Sequence, residues 1–143
     1  MSAFSSLESR LPVRALLVED SRHLRAVMRD LLHTIGGFAI AGELETEAEA
    51  GLWLDEHPDG CDLAVVDLIL AEGTGMGVVA KCRQAAPSAR IVVFSDYATP
   101  GIRNHCLRLG ADQVFPKSED VNALTDYCAA LAAGQAPPPM VAQ

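Results

Sequence analysis

Two kinds of apolar spacing alternate along this chain, and their alternation predicts its fold class. Leu63–Val66 and Ile91–Phe94 are continuous apolar runs, as in strands covered on both faces; a half-exposed strand would alternate apolar with polar residues. Val13–Val18 reads the same way apart from Arg14. Phe38–Leu44 alternates, and Gln113–Phe115 is short and followed by Pro116, which cannot donate to a ladder, so both are expected at sheet edges. Between these runs the spacing becomes helical. Leu24, Val27, Met28, Leu31, Leu32 and Ile35 make one apolar stripe, with Ser21 as its N-cap and Gly36-Gly37 as its end. Thr46 and Glu49 have capping-box spacing and open a second helix, which Pro58-Asp59-Gly60 closes. A third helix runs through Val78, Val79, Cys82 and Ala86 to Pro87, and a fourth opens at Thr99-Pro100 and carries Ile102, Cys106 and Leu109. The fifth has Ser118 as cap and Glu119 and Asp120 in its first turn, and turns Val121, Leu124, Cys128 and Leu131 inward.

Five strands alternating with five helices imply an α/β fold, a doubly wound parallel sheet with helices on both faces. The first, third and fourth strands are the apolar ones, which selects the order 2-1-3-4-5 with a switch point between strands one and three. A length of 143 residues suits one domain, here residues 13–132. Residues 1–12 lack periodicity and read as a flexible arm. Residues 133–143, with Pro137, Pro138 and Pro139, read as a disordered Pro-rich tail.

Charge and cysteine usage narrow the function. The formal charge of -8 repels phosphate backbones, so no nucleic-acid partner is expected. No apolar run approaches the roughly 18 residues of a membrane span, so a cytoplasmic protein without membrane contact is expected. Cys61, Cys82, Cys106 and Cys128 are widely separated and read as reduced, mostly buried thiols. The histidines are scattered and suggest no metal site.

In a parallel sheet all strands end on one rim, which gathers Glu19, Asp20, Asp67, Ser95 and Lys117. Neighbouring strands lie about 4.8 Å apart, so the carboxylates of strands one and three must be close. Two unit charges roughly 5 Å apart repel by about 3 kcal/mol at an effective dielectric of about 20, so three carboxylates need a cation. Lys117 supplies one charge, and Mg²⁺, which prefers hard oxygen ligands and keeps positions open for a phosphoryl oxygen, suits the rest. Asp67 can then attack phosphorus, with Lys117 and the metal neutralising the developing charge and the Ser95 hydroxyl donating to another oxygen.

These residues, in this order, resemble the receiver domains of two-component response regulators. The match runs from about Arg14 to Leu131 and includes Gly75 eight residues after Asp67 and Gly110-Ala111-Asp112 leading to Lys117. The resemblance implies a flavodoxin-like receiver fold in which Asp67 accepts phosphate from a histidine kinase or phosphotransfer protein. Glu19, Asp20, Asp67 and the backbone carbonyl of Ile69 would hold Mg²⁺. Such a domain is not an enzyme toward outside substrates and catalyses only its own phosphorylation and dephosphorylation. The chain reads as a stand-alone receiver acting through a separate effector protein. Ala71 and Ser118 stand where the family usually has proline, and Val114 stands where a switch aromatic is usual. Phe115, next to it, should point to the opposite face. The output surface is therefore assigned to Tyr97, Ile102, Arg103, Cys106 and Val114, driven by the link from Ser95 into the Thr99 helix.

Two other readings compete. Gly73-Thr74-Gly75-Met76-Gly77 follows a strand and precedes a helix, as a dinucleotide fingerprint does, but its spacing is poor and only one strand follows Asp96. A pseudo-receiver that docks proteins without being phosphorylated would have the same fold.

Overall fold

The structure is a computed structural model that describes residues 12–117 and 121–143. The expected arm, apart from Pro12, and the Ser118 cap with Glu119 and Asp120 lie outside the described residues. Among the described residues, strands and helices alternate as β1 (Val13–Val18), α1 (Arg22–Ile35), β2 (Phe38–Leu44), α2 (Glu47–Glu56), β3 (Leu63–Val66), α3 (Gly75–Ala85), β4 (Arg90–Phe94), α4 (Pro100–Leu109), β5 (Gln113–Phe115) and α5 (Val121–Ala132). All strand pairs are parallel, and the order is β2-β1-β3-β4-β5.

The continuous apolar strands divide their side chains between two cores. Leu16, Val18, Ala64, Val66, Ile91, Val93 and Val114 face α2, α3 and α4, where Ala50, Leu54, Val78, Val79, Cys82 and Cys106 complete one cluster. The alternate residues Ala15, Leu17, Leu63, Val65, Val92 and Phe94 face α1 and α5 and meet Met28, Leu32, Leu124, Tyr127 and Leu131. Each Val, Leu, Ile, Met or Phe among them contributes about 1.5–3 kcal/mol on burial. A one-residue slip would exchange the two sets, so the register is fixed from both sides. Val114 belongs to the first core and Phe115 packs against the second, as alternation requires.

The expected caps at Ser21, Thr46 and Thr99 form, each side-chain oxygen accepting from the backbone N–H three residues on, and Thr74, which is not among the expected caps, closes the start of α3 in the same way. At the rim where β4 and β5 begin, Arg83 of α3 gathers several loops. Its guanidinium donates to the carbonyl oxygens of Gly110 (2.7 Å), Pro87 (2.8 Å) and Ala89 (2.9 Å) and to Asp112 Oδ2 (2.9 Å). The same Asp112 oxygen accepts the Ile91 N–H at 2.8 Å.

The segment after α5 departs from the expected disordered tail. Residues 133–143 turn back across the β5 edge of the sheet and lie on α4. Arg90 donates to the Pro137 carbonyl (3.1 Å), the Gln113 amide donates to the Pro138 carbonyl (3.0 Å), and the Met140 N–H donates to the Asp112 carbonyl (2.7 Å). Proline lacks a donor but keeps its acceptor, so a Pro-rich segment can still be tied down by side-chain donors from elsewhere. Met140 and Ala142 then pack against the first core.

Candidate functional site

The register that pairs Val18 with Val66 makes Glu19 and Asp67 leave the sheet side by side. The Asp67 N–H donates to the Val18 carbonyl at 2.9 Å, and the Glu19 N–H donates to the Leu44 carbonyl at 2.9 Å, so both backbones are held by neighbouring strands. Glu19 is 1% exposed and Asp67 6%. Between them lies the Lys117 ammonium, donating to Glu19 Oε1 at 2.9 Å and to Asp67 Oδ2 at 3.1 Å. Asp20 completes the group: one oxygen from each of Glu19, Asp20 and Asp67 lies within 4.8 Å of the others.

This arrangement is electrostatically unbalanced. Burial pushes the Glu19 carboxyl above its usual range and the Asp67 charge adds to that, while Lys117 and the Ser21 N–H pull it back. Burial pulls the Lys117 ammonium down, but its hydrogen bonds to Glu19 and Asp67, together with their charges, more than offset this, so it is held above its ordinary value. One ammonium faces three carboxylates. An all-oxygen, carboxylate-rich donor set of this kind fits a hard divalent cation such as Mg²⁺.

Ser95, at the end of β4, is fully buried. Its hydroxyl oxygen accepts the Tyr97 N–H at 3.2 Å, its own N–H donates to the Phe115 carbonyl at 3.1 Å, and its carbonyl accepts the Lys117 N–H at 3.3 Å. The hydroxyl and the lysine therefore belong to one hydrogen-bonded corner. Ile69 is half exposed in the loop after Asp67 and pairs with Thr74 in an isolated bridge.

The expected output surface is only partly a surface. Tyr97 is exposed and Ile102 and Arg103 are half-buried, but Cys106 (0%) and Val114 (3%) lie inside the first core. Cys106 sits on the inward side of an amphipathic helix and Val114 on the inward side of an edge strand, so they support that face and cannot present it.

Gly75 is explained by close packing. A Cβ there would lie 2.0 Å from the Asp67 carbonyl oxygen, because the loop returns so tightly that the Gly75 N–H reaches the Leu68 carbonyl at 2.9 Å. The other glycines of that run make room for Glu47. Its Oε1 accepts the Thr74 N–H at 2.8 Å, and a Cβ on Gly77 would lie 2.0 Å from its Oε2. A helix N-terminus with free amides attracts anions. Here the Thr74 hydroxyl and the Glu47 carboxylate already take that place, which argues against a dinucleotide phosphate there.

Sequence reasoning missed Arg25. Its guanidinium donates to the Glu19 carbonyl at 2.6 Å and pairs with Glu43 (3.3 Å) and Glu45 (3.0 Å), bracing the acidic rim from the β2 side. The signal was available: Arg25, Met28 and Leu32 share the buried side of α1, and a charge on that stripe requires partners.

Residues 15–129 match the family model of the response regulator receiver domain. The photosynthetic apparatus regulatory protein RegA of Rhodobacter capsulatus is 40% identical over 76 residues, covering 53% of this chain and 40% of RegA. The nitrate/nitrite response regulator protein NarL of Escherichia coli is 29% identical over 135 residues, covering 90% of this chain and 59% of NarL. The chain thus spans about half the length of these relatives. Among solved structures, a LuxR-family two-component response regulator from Aurantimonas sp. SI85-9A1 aligns with a TM-score of 0.75 at 28% identity, covering 89% of this chain and 90% of that one. The isolated receiver domain of RcsB from Salmonella enterica aligns equally well, with a TM-score of 0.75 at 21% identity, over 89% of this chain and 93% of that one, and shows likeness of fold. The family match takes in most of both cores and every residue of the acidic rim, and this chain belongs to the response regulator receiver domain family.

Proposed function

We propose that Asp67 is the phosphoacceptor of a Mg²⁺-dependent phosphoryl transfer from a histidine kinase or phosphotransfer protein, and that the domain signals by protein contact. The observation that carries this reading is the Lys117 ammonium bonded to both Glu19 and Asp67, with Asp20 alongside. An Asp67 oxygen forms the new bond to phosphorus as the phosphorus–nitrogen bond of the donor breaks, and that electron pair leaves with the imidazole. Lys117 stays within reach of the phosphoryl oxygens, and the Ser95 hydroxyl gains an acceptor if it turns from Tyr97 toward Asp67. Glu19, Asp20 and Asp67, with the Ile69 carbonyl, would hold Mg²⁺, which supplies charge neutralisation at the transferring group. The output runs from Ser95 through Tyr97 into α4, where Tyr97, Ile102 and Arg103 are the accessible groups, to a separate effector protein. The net charge of -8 offers nucleic acid no attraction, so protein contact is the output assigned to this domain.

The test is a phosphate-affinity gel after incubation with acetyl phosphate and Mg²⁺. The chain should shift, and Asp67→Asn should not. A shift that persists in Asp67→Asn would remove the assignment, and no shift in the unaltered chain would favour a docking module that is never phosphorylated.

A further inference from the structure

The Pro137–Gln143 segment holds α4 by several independent contacts. Arg103 Nη2 lies 3.2 Å from Met140 Sδ, the Gln143 N–H donates to Asn104 Oδ1 at 3.0 Å, and Arg108 Nη2 donates to the Gln143 carbonyl oxygen at 3.2 Å. At the sheet edge the same segment is fixed by Gln113 and by the Asp112 carbonyl. It therefore clamps the outer side of α4 to the start of β5. Both elements lead directly to the phosphorylation corner: α4 begins shortly after Ser95, and β5 ends at Phe115, whose carbonyl accepts the Ser95 N–H.

We propose that this chain's own Pro137–Gln143 segment, seated on α4 and the β5 edge, is an autoinhibitory strap whose docking opposes the phosphoryl-bound state. The inference rests on the phosphoacceptor reading of Asp67. The segment fits the arrangement in which the Ser95 hydroxyl accepts from Tyr97. Turning that hydroxyl toward a phosphoryl oxygen breaks this bond and pulls the 95–99 loop and the first turn of α4. Arg103 and Asn104 then move relative to Asp112 and Gln113, which lengthens the segment's contacts at one set of anchors or the other. Linkage makes the effect reciprocal: whatever factor phosphorylation takes from docking, docking takes from phosphorylation. An effector that binds this face must displace the segment first.

The experiment uses the full chain with beryllofluoride and Mg²⁺ as the phosphoryl probe. Amide hydrogen exchange at Met140 and Gln143 should be slow in the free protein and at least several-fold faster with the probe. Met140→Asp, and independently Asn104→Ala, should bind beryllofluoride more tightly than the unaltered chain by a similar factor. Two results overturn the proposal while leaving the phosphoacceptor reading intact: fast exchange at both amides in the free chain, or equal probe affinity in all three proteins with exchange unchanged by the probe. Absence of any probe binding at Asp67, with the Met140 amide still protected, overturns both readings together.

Discussion

Gly75 is the position where a single methyl group most directly tests how the phosphoacceptor is held. A Cβ there would sit 2.0 Å from the Asp67 carbonyl oxygen and 2.8 Å from the Leu68 Cα, against an ordinary contact of 3.4–4 Å. Both neighbours are backbone, so more than 1 Å of relief must come from moving the start of α3 away from the end of β3. Overpacking of this kind costs up to about 3 kcal/mol. Replacing glycine by alanine in a helix recovers at most about 1 kcal/mol, which leaves Gly75→Ala destabilised by about 2 kcal/mol. For a domain of this size that lowers Tm by about 7 °C. Gly51, inside α2, is the control, since its Cβ would meet nothing within 4 Å. Gly51→Ala should be more stable by about 0.5–1 kcal/mol. Urea unfolding followed by far-UV circular dichroism measures both, and beryllofluoride affinity should fall in Gly75→Ala alone. If Gly75→Ala unfolded at or above the wild-type urea midpoint, the tight return of the Asp67 loop would be wrong.

Other substitutions probe the rim and its supports. Glu19→Gln should stabilise the metal-free chain: a carboxyl held above its usual range gives stability that is present below the unfolded carboxylate range and lost as pH rises through the folded value, so the variant's advantage should grow with pH in thermal melts. An advantage that shrank as pH rose would contradict the sign. Asp112→Ala leaves the Ile91 N–H without its partner and should cost about 1–3 kcal/mol in urea unfolding; a neutral outcome would show that Arg83 and Asp112 do not hold that rim. Ile69 and Tyr97, two residues beyond Asp67 and Ser95, are bulky and carry no carboxylate or amide to orient water, so autodephosphorylation should be slow and Ile69→Asn should speed it. Decay followed by phosphate release would count against water exclusion if Ile69→Asn were unchanged or slower.

The parts of this molecule that a sequence can show are those written as local period or as strand-end position. The runs at Leu63–Val66 and Ile91–Phe94 carry their double burial in composition, and Pro116 marks β5 as an edge. Glu19, Asp67 and Lys117 meet because parallel strands share a rim, which follows from topology alone. Glu47 and Thr74 lie 27 residues apart, and nothing local in either stretch announces the pairing. Arg83 likewise reaches Gly110 across 27 residues. The Pro-rich composition of the segment after α5 suggests disorder, but its carbonyls are held by Arg90 and Gln113, which sit on strands far away in the chain. Cys106 and Val114 were assigned to a surface from their connection to Ser95, although helix and strand periodicity place both inward.

The guanidinium of Arg83 also sets the mechanics of α4. It fixes the carbonyl of Gly110 at the C-terminal end of that helix, while the N-terminal end is joined to the Ser95 corner by a short loop. Once the Pro137–Gln143 segment has left Arg103 and Asn104, a helix fastened at Gly110 and pushed at Thr99 turns about its fastening. Ten helical residues are about 15 Å long, so a push of about 1 Å at Thr99 becomes a tilt of about 4°. The displacement is greatest at Pro100 and fades toward Leu109, which makes Arg103 and Asn104 travel farther than Arg108. The molecule is thus a lever with its fulcrum on the rim opposite the acidic cluster, and loosening that fulcrum would let the push dissipate as translation.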